Sequence, residues 1–130
     1  MRITLLIQGA PYASDAPRSA LRFARAAVGA GHQIHRAFFY NDGVYIANAF
    51  ATPPRDEVDM AAKWIDFAAS HDIELTVCVA ASLRRGIVDD GEASQYELAG
   101  ANLRDGFEIV GLGQMVEGML EGDRTVTFGA

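Results

Sequence analysis

Short apolar runs alternate with stretches of helical period along this chain, and that alternation restricts the fold more than any other feature. Arg2–Gln8 reads as a first strand, Gln33–Tyr40 as a second and Ile73–Val79 as a third. Phe107–Leu112 reads as a short fourth strand and Arg124–Phe128 as a fifth. Between the first two, Pro17 opens a helix with Asp15 as its cap. Ala20, Leu21, Ala24, Ala27 and Val28 form its apolar stripe, and Gly29 and Gly31 end it. Asp56–Ser70 predicts a long helix with Val58, Ala61, Ala62, Ile65 and Ala69 on one face. Glu92–Arg104 predicts another, stopped at Asp105-Gly106, and Gln114–Glu121 a short one. The order βαβαβαβαβ predicts a three-layer α/β/α sandwich around a mainly parallel sheet of about five strands, with right-handed crossovers. No repeat or change of composition divides residues 1–130, so the expectation is a single domain.

Half of the residues are hydrophobic and 22% are charged, the profile of an ordinary globular protein that needs neither disulfide nor metal to fold. The net charge is -6 and Lys and Arg form no large cluster, which argues against direct nucleic-acid binding. The apolar run Ile3–Ile7 is shorter than the core of a signal peptide, and it runs into Gln8-Gly9 like a strand entering a turn. No stretch has the length of a membrane helix. A lone cysteine fits a reducing compartment. The expected location is cytoplasmic.

That cysteine, Cys78, closes the third predicted strand, and a small-residue and basic turn follows: Ala80-Ala81-Ser82-Leu83-Arg84-Arg85-Gly86. Open α/β sheets gather ligands at the carboxyl ends of their strands. A single thiol forms no intrachain disulfide, but it can act as a nucleophile or carry a group on sulfur. Arg84 and Arg85 are candidates to stabilise a thiolate there. The other reading of the residues is a small hydrophobe packed in the core.

The connection after the second strand is long and rich in large apolar side chains. Phe38, Phe39 and Tyr40 lead into Val44, Tyr45, Ile46 and Phe50, before Pro53-Pro54. An exposed patch of this kind is a candidate subunit interface. The other reading folds Val44, Ile46 and Phe50 back as a helical turn over the sheet edge.

Other chemistries lack their patterns. His32, His35 and His71 have no metal-ligand spacing and read as surface residues. Gly111-Leu112-Gly113 fails the dinucleotide pattern at Val116 and reads as a turn. The turn Gln8–Tyr12 is no Walker loop, there is no Gly-x-Ser-x-Gly elbow, and the adjacent Asp89 and Asp90 read as a helix cap. A flavodoxin-like nucleotide- or flavin-binding module is the rival from another class, but it would need a phosphate-cradling turn.

Taken together, several segments resemble the DsrE/TusD family of sulfur-relay subunits. They are Phe38-Phe39-Tyr40, Gly43-Val44-Tyr45 with Ala47-Asn48, Asp56-Glu57, and Cys78-Val79-Ala80-Ala81 with Leu83-Arg84-Arg85-Gly86. Asn102-Leu103, Gly106-Phe107, Gly111-Leu112-Gly113 and the closing Asp123-Arg124 with Val126 and Phe128 complete the match over nearly the whole chain. The resemblance implies a parallel-sheet α/β sandwich in which Cys78 carries sulfane sulfur as a persulfide. It implies a TusA-like donor, a DsrC/TusE-like acceptor and no cofactor. It also implies two smaller homologous subunits, of DsrF/DsrH or TusC/TusB type, in a dimer of heterotrimers. Dissimilatory sulfur oxidation is the expected use; thiolation of the tRNA wobble uridine is the alternative. A purely structural subunit, with the reactive cysteine on a partner, is a further reading.

Overall fold

The structure is a computed structural model that describes residues 1–130. Strands β1 (Arg2–Ile7), β2 (Gln33–Phe39), β3 (Glu74–Cys78), β4 (Phe107–Val110) and β5 (Arg124–Phe128) form one sheet in the order β4-β3-β2-β1-β5. Every pairing is parallel, as the alternation predicts. The chain steps in one direction from β1 to β4, then returns to place β5 on the far side of β1. Right-handed crossovers then put α1 (Ala16–Gly29) and α2 (Met60–His71) on one face and α5 (Leu112–Glu121) on the other.

Alternation along the strands divides the core accordingly. Phe39 points toward α2, where its ring meets Trp64 edge-on with centroids 5.7 Å apart. Trp64 is fully buried and donates its indole N–H to the carbonyl of Pro17 at 3.0 Å, joining α2 to α1. On the opposite face Thr4 donates its hydroxyl to the Gly118 carbonyl at 2.9 Å, and Arg36 donates to the Gln114 carbonyl at 2.7 Å. These contacts hold α5 against the sheet, while its outer stripe of Leu112, Val116 and Leu120 stays exposed.

The predicted elements shift in several places. The first helix begins where expected, but Asp15 makes no side-chain cap; Ser14 accepts the Ala16 N–H instead. The second long helix begins at Met60, with Asp59 accepting the Ala62 N–H at 3.1 Å. Asp89 caps the short helix α4 (Asp90–Gln95) in the same way, through the Glu92 N–H. Gly111 and Gly113 do not form a turn: Gly111 precedes α5 in extended backbone and Gly113 lies within it.

The expected helix Glu92–Arg104 shrinks to α4, Asp90–Gln95. Glu97 takes a positive φ of 55°, and the backbone beyond turns to other partners. The Asn102 and Leu103 N–H groups donate to the Val88 carbonyl, and the Arg104 N–H donates to Ala47. Main-chain donors pledged across the fold cannot also satisfy a helix ladder.

After Tyr40 the chain forms a 3-10 helix, Asn41–Ala47, which lies as a cap over the carboxyl end of the sheet. Gly43 makes this possible. A Cβ there would be driven into the carbonyl oxygen of Ile7 at the end of β1. That same carbonyl accepts the Tyr40 N–H at 2.9 Å, so it cannot retreat freely. The folded-back reading of the aromatic connection is therefore correct for Val44 and Ile46, which are buried, while Phe50 is 75% exposed.

Replacing Gly43 by Ala should destabilise the protein by about 1–3 kcal/mol, measured by urea unfolding, because the added methyl must displace backbone. A second expectation concerns Asp59. Partial burial opposes its charged form, but Arg104, 3.1 Å away at both oxygens, and the Ala62 N–H outweigh that, so its carboxyl titrates below its ordinary value of 3.8. A depressed carboxylate adds stability above its unfolded pKa and loses it as pH falls through the folded one. Wild type should therefore exceed Asp59→Asn in unfolding midpoint at neutral pH, and the gap should close below about pH 4.

Candidate functional site

Cys78 is the last residue of β3 and the N-cap of a short helix, α3 (Val79–Arg84), which follows with no intervening loop. Its φ and ψ of -67° and 129° are still those of a strand, so the direction changes at the cysteine itself. Register places Phe38 beside Thr76, and two residues on Cys78 lies beside Val110 of β4. The thiol thus belongs to the same sheet face as Phe38 and Thr76, the face that carries α5. Within this chain it is closed in: Cys78 is 1% exposed and part of the main core cluster.

The surrounding segments are bolted together by polar contacts that the sequence did not reveal. Asn102 accepts the Val88 N–H at 2.9 Å with its side-chain oxygen and donates its amide to the Gly86 carbonyl at 2.9 Å. Its own carbonyl accepts the Ala49 N–H at 2.7 Å, and Asn48 and Leu103 form an isolated antiparallel bridge. One asparagine thereby joins the return of α3 to the exit of the cap helix. The match Asn102-Leu103 singled it out in the sequence, but no periodicity or charge signal gave it this role.

The two arginines diverge. Arg85 donates to Asp42 of the cap helix at 2.9 Å and to the Ala81 carbonyl at 3.1 Å. Arg84 faces solvent. Neither guanidinium hydrogen-bonds to Cys78; Arg85 instead pins α3 to the cap. Ser82, one turn beyond Cys78, is completely buried, and its hydroxyl has no hydrogen-bond partner.

The aromatic interface proposed from sequence needs correction. Phe38, Phe39, Val44 and Ile46 are core residues of this chain, because β2 is covered on both faces and the cap helix folds inward. Tyr40 is half-buried, stacked on Phe38 at 6.3 Å. Only Tyr45 and Phe50 of that set reach solvent. The strand order, which the sequence leaves open, adds a further feature. The reversal of the chain, where open sheets favour ligands, falls between β1 and β5. An open cleft of about 530 Å³, lined by Ser14, Asp15, Ser19 and Thr127 among others, lies there, away from Cys78.

His32 and His35 sit at the opposite, amino-terminal edge of the sheet. His35 bridges Arg2 and Glu121 at 2.9 and 3.1 Å, and His32 accepts the amino terminus at 2.9 Å. His71 packs on Phe67 at the end of α2. None joins the cysteine. No helix is long and apolar enough to cross a membrane.

Comparison with known proteins agrees with this architecture. The model of the DsrE/DsrF-like family matches residues 1–128. A protein of Allochromatium vinosum named as the sulfurtransferase DsrE is 44% identical over 129 residues, covering 99% of each chain. Sulfurtransferase TusD of Cronobacter sakazakii is 44% identical over 128 residues, covering 98% of this chain and all of its own. Among solved structures, the ychN protein of E. coli superposes with a TM-score of 0.75 at 21% identity, covering 98% of this chain and 99% of that one. A protein of unknown function, MTH1491 of Methanobacterium thermoautotrophicum, gives 0.64 at 14% identity with 97% of both chains covered, and these two likenesses speak to the fold alone. With matched sequence from end to end and the same parallel sandwich, the chain belongs to the DsrE/DsrF-like family.

Proposed function

We propose that this chain carries sulfur in a relay, as a persulfide on Cys78. The observation that carries the reading is the position of the only thiol in the chain, at the junction of β3 and α3, within a family whose full-length relatives are named sulfurtransferases. The Cys78 thiolate attacks the outer sulfur of a donor persulfide; a new S–S bond forms on Cys78, and the donor leaves as a thiolate. The acceptor's thiolate then attacks that outer sulfur, and Cys78 is the leaving thiolate. Sulfur is exchanged with no net oxidation. With no second cysteine, the loaded residue cannot collapse into an intrachain disulfide.

A TusA-like protein is the proposed donor and a DsrC/TusE-like protein the acceptor. Dissimilatory sulfur oxidation is the proposed setting. Supply of sulfur for tRNA wobble-uridine 2-thiolation is the second reading, favoured by relatives of TusD name at the same identity as that of DsrE name. The buried thiol adds a condition: rates depend on access, so loading requires the cap helix or α3 to open locally.

Assembly with two smaller homologous subunits of DsrF/DsrH or TusC/TusB type, in a dimer of heterotrimers, is proposed on the exposed apolar surface. That surface is Tyr45 and Phe50 at the cap, and Leu112, Val116 and Leu120 along α5.

Incubation with a persulfide donor followed by intact-protein mass spectrometry should add one sulfur atom to wild type, removable by reductant, and none to Cys78→Ser. The same gain on Cys78→Ser would overturn the carrier reading, since no other thiol exists in the chain. In sedimentation with both partners, Phe50→Asp and Tyr45→Asp should weaken the complex while the chain stays folded, because an interface desolvates an unpaired carboxylate at high cost. Ile46→Asp should instead unfold the chain, because Ile46 is core. A wild-type chain that stays monomeric with both partners present would refute the assembly.

A further inference from the structure

The outer face of α1 is basic in an acidic chain. Arg18, Arg22 and Arg25 recur at i, i+4 and i+7, so a single stripe of the helix carries all three. Each is exposed, on the side away from Ala20, Leu21, Ala24 and Ala27, which are buried. α1 contains no acidic residue. α2 beside it adds one exposed base, Lys63, and one exposed acid, Asp66. The two helices together are therefore net positive, although the chain as a whole carries -6. Across the sheet, α5 has Glu117 and Glu121 and no base.

The fold makes no use of these three charges. Where arginine joins elements of this protein it is paired: Arg36 with Glu74, Arg85 with Asp42 and Arg104 with Asp59. Arg18, Arg22 and Arg25 enter no ion pair. Their arrangement also works against the helix. Like charges three and four residues apart repel one another. The helix dipole favours acids in the first turn and bases in the last; α1 has neither there, and Arg18 stands in the first.

We infer that this stripe docks an acidic segment of another protein, with carboxylates spaced along the about 10 Å that the three arginines span. Each guanidinium is a planar fork that can hold a carboxylate through two parallel N–H bonds. The charge pattern selects this class of partner. Three cations neutralise too few phosphates to hold a nucleic acid, and they fall short of the basic clusters that bind anionic lipid. The acidic remainder of the chain repels any extended polyanion, whereas a short acidic segment meets the stripe alone. α1 lies on the sheet face opposite α5 and holds none of the residues around Cys78. The inference is thus independent of the sulfur-carrier reading, and it leaves α5 and the cap free for the proposed assembly.

The test is fluorescence anisotropy with a labelled, capped, alanine-rich helical peptide bearing glutamates at i, i+4 and i+7. Wild type should bind it at low ionic strength and release it as salt is raised. A variant combining Arg18→Gln, Arg22→Gln and Arg25→Gln should bind about tenfold more weakly. A peptide of the same composition, with its glutamates distributed around the helix, should bind wild type several-fold more weakly, because attraction by net charge alone does not read spacing. The thermal midpoint of the variant should match or exceed that of wild type, because repulsion along α1 is relieved. Equal binding by wild type and variant, equal binding of the two peptides, or no binding at all would overturn the inference. So would a lower thermal midpoint in the variant, which would show that the arginines serve the fold. Tighter binding of a single-stranded DNA oligonucleotide or of phosphatidylglycerol vesicles than of the peptide would overturn it as well, by assigning the stripe to another class of partner. Failure of Cys78 to load with sulfur would leave these outcomes untouched.

Discussion

The close approach of Gly43 to the Ile7 carbonyl governs how the carboxyl edge of this sheet is closed. Only a residue without a Cβ lets the backbone of the cap helix sit on the end of β1. From that seat the helix turns Val44 and Ile46 inward and touches α3 and β3. Cys78 closes β3, one of the elements this helix touches, and is 1% exposed although it stands at a strand end.

Two polar devices keep that closure in place. Asn102 spends both side-chain groups and its carbonyl on segments remote in sequence, and Arg104 forms a paired contact with Asp59 at the start of α2. Neither contributes much apolar area. Their effect is to fix the register of loops whose backbone groups would otherwise lack partners. The same commitments explain why a helical reading of residues 92–104 fails: the donors and acceptors are taken by tertiary partners.

Burial of the one thiol sets core packing against the proposed sulfur exchange. A packed cysteine contributes to the core, while sulfur exchange needs an attacking thiolate to approach in line with the S–S bond. The contacts around α3 resolve this in a particular way. Arg85 ties the helix to the exposed Asp42, a surface pair of the kind that contributes little to stability. The unpartnered Ser82 hydroxyl makes the interior of α3 less stable than an apolar one would be.

The sequence by itself determined the fold class, the five strands and the long helices, because hydrophobic periodicity is local and each run had its own turn residues. It also picked out Cys78, whose place at the end of an apolar run is visible without any contact. Strand order, the inward turn of Val44 and Ile46, and the separation of Arg84 from Arg85 came only with the tertiary structure. Each depends on which segments meet. A side chain such as Ile46 reads the same in one dimension whether it faces a partner subunit or its own core. Asn102 and Ser82 show the limit most clearly: one is satisfied by segments far along the chain and the other by none, and no pattern of neighbouring residues distinguishes those two fates.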